Sequence, residues 1–435
     1  LKIPDSIKSN LLLKITSVNA PIIIVRQVFS LFIRRVVAEN FGEVGIDIIG
    51  QLRSIQQGIL SLTSFGFFNG IVKYVAEHKE DQEKLNGLFS TAFVFWMFSS
   101  SIVAIALAIF SKPLSEYFFE TTDYASVLIV IGCVAPMIGL QRLYNGIVNG
   151  LTEYKRFAKV DIVTYLISAI LLLYFAWNNH FEFALYSIAI TPALQLIIML
   201  YVFFKTFKNY IDYKQISFRT PFKNVLLAFT LISFMSTVVL SFVEVEIRNM
   251  IRTNISQTES GLWSGMLDLS KNYMAFSSLL FTMYVIPKFA TIKTKFLFFK
   301  EVGSIYKTLL PLFGAGMLLI YFLRHFIIDL IFPGFDGMAP LFKWQLMGDF
   351  IRLASIILAT QFLAKKMVRN FIFSEVISTI LFFGLSYYLV PIYGVEGVVI
   401  AHFIRYIIYF IVVLLLLQRA FNKNLMGDGE ETKND

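Results

Sequence analysis

The chain has 435 residues, of which 57% are apolar and only 15% charged, and its mean hydropathy is +0.70. Soluble domains carry about 25% charged residues, so this composition excludes a disordered chain, a coiled coil and an ordinary soluble enzyme. On so apolar a chain, the formal charge of +9 indicates anchoring at the cytoplasmic face of a membrane rather than nucleic-acid binding.

The apolar residues come in blocks of about 20, the length that crosses a bilayer as a helix. Twelve such blocks follow one another: 11–35, 47–76, 86–110, 124–151, 158–177, 183–205, 223–250, 261–289, 303–323, 340–364, 368–390 and 396–418. An outer-membrane barrel would instead show alternating strands. The expected fold is therefore all-α, a polytopic membrane protein with twelve transmembrane helices. Blocks 47–76, 124–151 and 261–289 run long, which predicts tilt or protrusion beyond the bilayer. Pro136, Pro192, Pro287 and Pro311 stand in or at the edges of blocks and predict kinks. Gly66 and Gly70 in GFFNG predict close packing. Trp96, Trp177, Trp263 and Trp344 fall near or inside block ends, and the last three are expected at the membrane interface.

Charge fixes the expected orientation. With the N-terminus inside, 25 of the 38 Lys and Arg residues fall on the cytoplasmic side and seven on the other. Both termini are then cytoplasmic. The longest inside connection, 206–222, divides the chain into an N-terminal six-helix bundle at 1–205 and a C-terminal one at 223–420. A polar tail follows at 421–435, and its end, DGEETKND, is expected to be disordered. The first block has no small-residue cleavage site, so no cleavable signal peptide is expected. The halves read as a repeat. RRVVAENFGEVGIDIIGQ at 34–51 matches RNMIRTNISQTESGLWSG at 248–265, and the stretch from Arg142 to Ser168 matches that from Arg352 to Ser378. Such repeats are typical of transporters, whose substrate sites lie between the halves.

Six basic residues remain within the blocks: Arg26, Arg53, Arg142, Lys271, Arg352 and Arg405. Each costs about 2.5–3.5 kcal/mol at a helix centre, so such residues face a partner or a wet cavity. Asp268 with Lys271, and Asp349 with Arg352, have i,i+3 spacing on one helix face. That spacing suits mutual neutralisation, and it equally makes the two acids candidates for proton or sodium coupling. Arg26, Arg53, Arg142 and Arg405 have no acidic residue at helical spacing. Arg53 stands about 8 Å in from the outer end of its block. A cavity lined by guanidinium groups suits an anion, since arginine offers planar paired donors to phosphate and carboxylate. It counts against a drug-cation exporter.

No metal or organic cofactor is expected. A lone cysteine, Cys133, and four histidines offer no metal cluster. Phosphate-loop, serine-hydrolase and H-E-x-x-H patterns are absent. Without them, and without a large outer loop to house a catalytic site, the chain reads as a transporter rather than an enzyme.

FGEVGIDIIGQLR at 41–53, GFFNGIVKYVAEH at 66–78, TTDY at 121–124, LFKWQLMGDFIRL at 341–353 and LAKKMVRNFIFSEV at 363–376 resemble Wzx-type flippases. These belong to the multidrug/oligosaccharidyl-lipid/polysaccharide exporter superfamily. The resemblance spans nearly the whole chain and is strongest to O-antigen translocases and to flippases for the enterobacterial common antigen lipid. It implies two six-helix bundles arranged as a V, as in the related multidrug exporters. It also implies transport of an undecaprenyl-diphosphate-linked oligosaccharide from the inner to the outer leaflet of the bacterial inner membrane. Membrane lipid would surround the chain, and an O-antigen polymerase and a chain-length regulator would be its partners. Arg35, Arg53, Lys73, Asp349 and Arg352 match basic or acidic positions of the family. Glu43 departs from a frequent proline, and Lys271 and Arg405 have no expected counterpart. The expected activity is flipping by alternating access, with Arg26, Arg53 and Arg352 holding the diphosphate or acidic sugars. The alternative is a cation-coupled multidrug exporter of the same fold.

Overall fold

The structure, a computed structural model, describes residues 11–280, 285–292, 294–365 and 367–422, apart from the side chains of 11–28 and of a few later positions. The predicted polar end DGEETKND lies outside the described residues, as does the side chain of Arg26. Every regular element among the described residues is helical.

Helix α1 (Leu11–Thr63) breaks at Gly42, where φ is 60° and ψ is −161°. A side chain there would clash with its own backbone, and glycine has none. Unbroken, its 53 residues would run about 80 Å, against a hydrocarbon core of about 30 Å. Helix α2 (Phe68–His78) continues the stretch after a bend of 45°. Then come α3 (Gln82–Ile109), the short α4 (Ser111–Phe119), α5 (Ala125–Gly150), α6 (Tyr154–Trp177) and α7 (Phe181–Tyr210). Helix α8 (Lys223–Ser233) runs through a π turn (Phe234–Val239) into α9 (Leu240–Asn254). The remainder is α10 (Gln257–Leu280), α11 (Ile286–Thr291), α12 (Lys295–Phe322), α13 (Arg324–Ile331), α14 (Leu341–Ala364), α15 (Val368–Tyr393) and α16 (Glu396–Asn422).

Among the described residues eight helices are long and apolar enough to cross a membrane, or nine if the bent pair α1–α2 forms one span. The chain is a helical multi-pass membrane protein. The other three predicted blocks also fall on helical backbone: the first part of α1, the run from α8 to α9, and α10 with α11. Pro136, Pro192 and Pro311 lie inside α5, α7 and α12.

Contacts divide the chain into two compact units, one covering Val18–Glu246 and the other the residues before Val18 together with Ile247 onward. In the first, α5 packs against α2, α3 and α7. Its core is built from Phe67, Ile71, Leu88, Phe89, Ile147 and Phe203, all fully or nearly fully buried. Helix α8 lies on α2, and the two expected packing glycines sit at that contact. A Cβ on Gly70 would come within 2.9 Å of Leu226, and one on Gly66 within 2.7 Å of Ser233 and 3.2 Å of the Thr230 backbone. Thr230 donates to the Phe65 carbonyl at 2.6 Å, which satisfies a backbone oxygen released by the bend. Asp81 caps α3 by accepting from the Lys84 amide at 3.1 Å. That bond holds its carboxyl below the usual carboxylate range.

In the second unit α14 is central, packing against α10, α11, α12, α15 and α16. Trp263 differs from expectation. It is 1% exposed and so turned into the protein rather than outward, where the Arg248 guanidinium covers its ring at 5.1 Å while donating to Ser264 at 2.8 Å. A cation–π contact can hold an indole inside as well as the interface holds it outside.

Gly66 has φ of 65° as well as no room for a Cβ. Gly66→Ala is expected to destabilise the protein by about 1–3 kcal/mol, read as a lower thermal midpoint in detergent. Gly303→Ala, with nothing within 4 Å of the added carbon, should leave the midpoint unchanged. Equal midpoints for the two variants would refute the packing role.

Candidate functional site

A densely connected polar cluster lies in the second unit, where α10, α14, α15 and α16 face one another. Asp349, on α14, is 0% exposed. A carboxylate cut off from water must be paired and hydrogen-bonded, or the desolvation cost is prohibitive. Here it accepts from Ser270 of α10 at 2.5 Å, from the Tyr273 hydroxyl and from Gln345, one turn earlier on α14, at 3.1 Å. His402 of α16 places Nε2 3.0 Å from Oδ1. Arg352, at the predicted i,i+3 spacing, completes the shell with an Nη1–Oδ1 separation of 3.8 Å.

The close approach of α16 depends on Gly348. A Cβ there would lie 2.4 Å from His402 Cδ2 and 3.2 Å from the Phe403 backbone. The glycine preceding Asp349 thus clears the space into which the histidine reaches.

Arg405, one turn beyond His402, is 5% exposed. Its guanidinium sits between two rings, 4.2 Å from the Phe382 centroid and 4.4 Å from that of Tyr406. Nη2 donates to the Tyr406 hydroxyl at 2.7 Å, but Nε and Nη1 have no hydrogen-bond partner among the described residues. Nε of Arg352 is in the same condition. Buried donors are rarely left unfilled, so these guanidinium groups retain capacity for an anion. Glu375 of α15 accepts from Tyr409 at 2.8 Å.

The structure gathers three of the predicted residues, Asp349, Arg352 and Arg405, into this cluster. Asp268 and Lys271 stay one turn apart on α10, and Lys271 is exposed. The other predicted residues lie in the first unit. Arg53 is half-buried on α1, between fully buried Leu52 and buried Ser54, and Ser54 donates to Glu244 of α9 at 2.8 Å. Arg142 of α5 lies 3.8 Å over the Phe68 ring. Beside it, Gln141 donates to Gln195 at 2.7 Å, which in turn donates to Asp161 at 3.3 Å. Sequence reasoning missed His402, Gln345, Ser270 and Tyr273. The available signal was His402 itself, three residues before a basic position inside an apolar block.

Among the described residues no group of three or more His, Cys, Asp or Glu side chains is placed to hold a metal ion.

A family model described as polysaccharide biosynthesis protein matches residues 12–293. The Lipid III flippases of Escherichia coli (strain K12) and Shigella flexneri are each 27% identical over 382 residues, covering 87% of this chain and 92% of theirs. Among solved structures, an inward-facing multidrug resistance MATE family transporter of the MOP superfamily superposes with a TM-score of 0.73 at 12% identity, over 95% of this chain and all of that one. The lipid II flippase MurJ in an inward closed conformation superposes with a TM-score of 0.71 at 15% identity, over 93% of this chain and 89% of that one. The backbone is therefore of the MATE and MurJ type.

His402→Ala would strip Asp349 Oδ1 of its nearest donor. The expected loss is about 1–3 kcal/mol, that of a buried acceptor left short of a partner, seen as a lower thermal midpoint. His402→Gln keeps an N–H donor of similar reach and should recover most of the loss. If glutamine is no better than alanine, the hydrogen bond is not what the histidine contributes.

Proposed function

The chain belongs to the polysaccharide biosynthesis protein family, and from that premise we propose that it flips an undecaprenyl-diphosphate-linked oligosaccharide, an O-antigen-type repeat unit, across the bacterial inner membrane. The observation that carries the proposal is its similarity to two Lipid III flippases over 87% of its length. The chemistry of the second unit agrees with it. Arg352 and Arg405 keep donors unfilled in a buried setting, and guanidinium donors suit a diphosphate or an acidic sugar better than a cationic drug. A multidrug exporter of the same fold is the rival, and it draws on backbone likeness alone.

In the proposed cycle the headgroup enters from the cytoplasmic leaflet and is held by Arg53 and Arg352, with Arg26 and Arg142 contributing. Arg405 presents its two remaining donors from behind. The polyprenyl tail stays in lipid while the twelve spans rearrange by alternating access. Both termini are cytoplasmic, as the charge bias favours. An ion gradient supplies the energy. Asp349, with His402 and Arg352 on one carboxylate oxygen, is the acid best built to exchange a proton or sodium ion against a conformational change, with Asp268 second. The flipped unit then passes to a polymerase and chain-length regulator.

Everted membrane vesicles test the proposal, with a water-soluble short-prenyl diphosphate oligosaccharide from the source strain as the probe. Uptake should require the protein. Arg53→Ala and Arg405→Ala should each slow it about 10- to 100-fold, the worth of one to two charge-assisted hydrogen bonds, at unchanged protein level. Full uptake by Arg53→Ala would remove that residue from the site. Absence of uptake by folded wild-type protein, together with resistance to toxic cations in cells, would favour the exporter instead.

A further inference from the structure

Helix α14 has a second face, turned away from Asp349. Leu346, Met347 and Phe350 on that face meet Gly314, Leu318 and Tyr321 of α12 across an open groove of about 510 Å³, within the range of ligand pockets. The groove runs about 12 Å along α14, from Lys343 to Ile351. The groove is open to its surroundings: α12 has the smallest buried share of the candidate spans, at 11%. Met347 is 42% and Leu318 59% exposed.

The two ends of the groove differ. At one end its lining is wholly apolar. At the other stands Lys343, with Nζ 4.7 Å over the Trp344 ring. Arg324 is next to it in space through Tyr321, whose ring it covers at 4.5 Å and whose carbonyl it meets at 2.9 Å. Neither cation forms an ion pair with a described residue. An apolar channel with a lysine at one end, and an arginine stacked on one of its lining tyrosines, is complementary to one kind of molecule: a long hydrocarbon with an anionic phosphate at its end. By the charge bias this cationic end lies at the outer face. There a flipped lipid would have its phosphate at the interface and its tail pointing into the membrane.

We propose that the groove between α12 and α14 docks the polyprenyl chain of the lipid-linked substrate in the outer leaflet, with its phosphate against Lys343 and Arg324. This rests on the flippase reading above and deepens it. The groove lies on the opposite face of α14 from Asp349, Arg352 and Gln345. The two parts of one amphiphilic lipid would thus engage two faces of one helix, the headgroup inside and the tail outside.

The test compares two substrates that share a headgroup: an undecaprenyl diphosphate oligosaccharide and its short-prenyl analogue. Each is followed in proteoliposomes holding the full chain. Leu318→Trp and Met347→Trp fill the groove from exposed positions. Each should slow the long-chain substrate about tenfold and leave the short-chain one unchanged. Equal slowing of both substrates, or of neither, overturns the proposal. A second measurement does not depend on the variants. A polyprenyl phosphate carrying a diazirine on its tail should label α12 and α14 peptides of the wild-type protein. Excess polyprenyl phosphate should suppress that labelling and excess phospholipid should not. Suppression by phospholipid would make the groove an ordinary lipid contact and overturn the proposal. If the wild-type protein moves neither substrate, the flippase reading falls, and the labelling alone then decides whether the groove binds a polyprenyl chain.

Discussion

A carboxylate with no exposure, inside a protein whose helices are bathed in hydrocarbon, has no water to turn to. Asp349 must find every partner within the chain. It draws donors from three helices, α10, α14 and α16. These demands fix much of the second unit. Helix α16 has to approach α14 closely enough for a histidine to reach Oδ1, so the residue before the aspartate has to be glycine-sized. Helix α10 has to present Ser270 and Tyr273 on the same face. With these conditions met, Arg352 and Arg405 are carried along on α14 and α16, and their remaining donors are left facing the interior.

The first unit solves its polar problem differently. Its buried groups include short chains: Gln141 to Gln195 to Asp161, and Ser54 to Glu244. The amide links of the first chain are neutral and cost less to bury than the carboxylates, Asp161 and Glu244, on which the two chains end. The first unit instead depends on an apolar core around α2 and α5 and on glycines that let α8 approach α2. The helix break after Thr63 is tolerated because freed backbone carbonyls find side-chain donors, as that of Thr63 does in Ser99. Thr230 on the Phe65 carbonyl is another case. The same rule explains why irregular backbone within membrane depth occurs where protein covers it.

Hydropathy made the helices legible. Among the described residues the predicted blocks fall on helical backbone, because a run of about 20 apolar residues has one stable conformation in lipid. The i,i+3 pair of Asp349 and Arg352 was equally legible, since spacing on a helix is geometry that the sequence carries with it. What could not be read was any contact whose two residues lie on different helices. His402 is 53 residues from Asp349, and no local pattern joins them. Trp263 was misplaced for the same reason. An indole near a span end is interfacial by default, and only the fold brings Arg248 over its ring.

On the proposed reading, one helix would serve both parts of an amphiphilic cargo. Residues at 345, 349 and 352 face the polar interior, while those at 343, 346, 347 and 350 line the lipid-facing groove. A helix repeats every 3.6 residues, so the two faces are interleaved along α14 and cannot move independently. Any shift of α14 that loosens the Asp349 shell also shifts the groove against α12. Protonation or ion exchange at the carboxylate weakens its hold on His402 and Arg352, and so acts on both faces at once. A transporter of a lipid with a charged head and a long tail has to release both together. A single helix that touches both needs no further device to couple them.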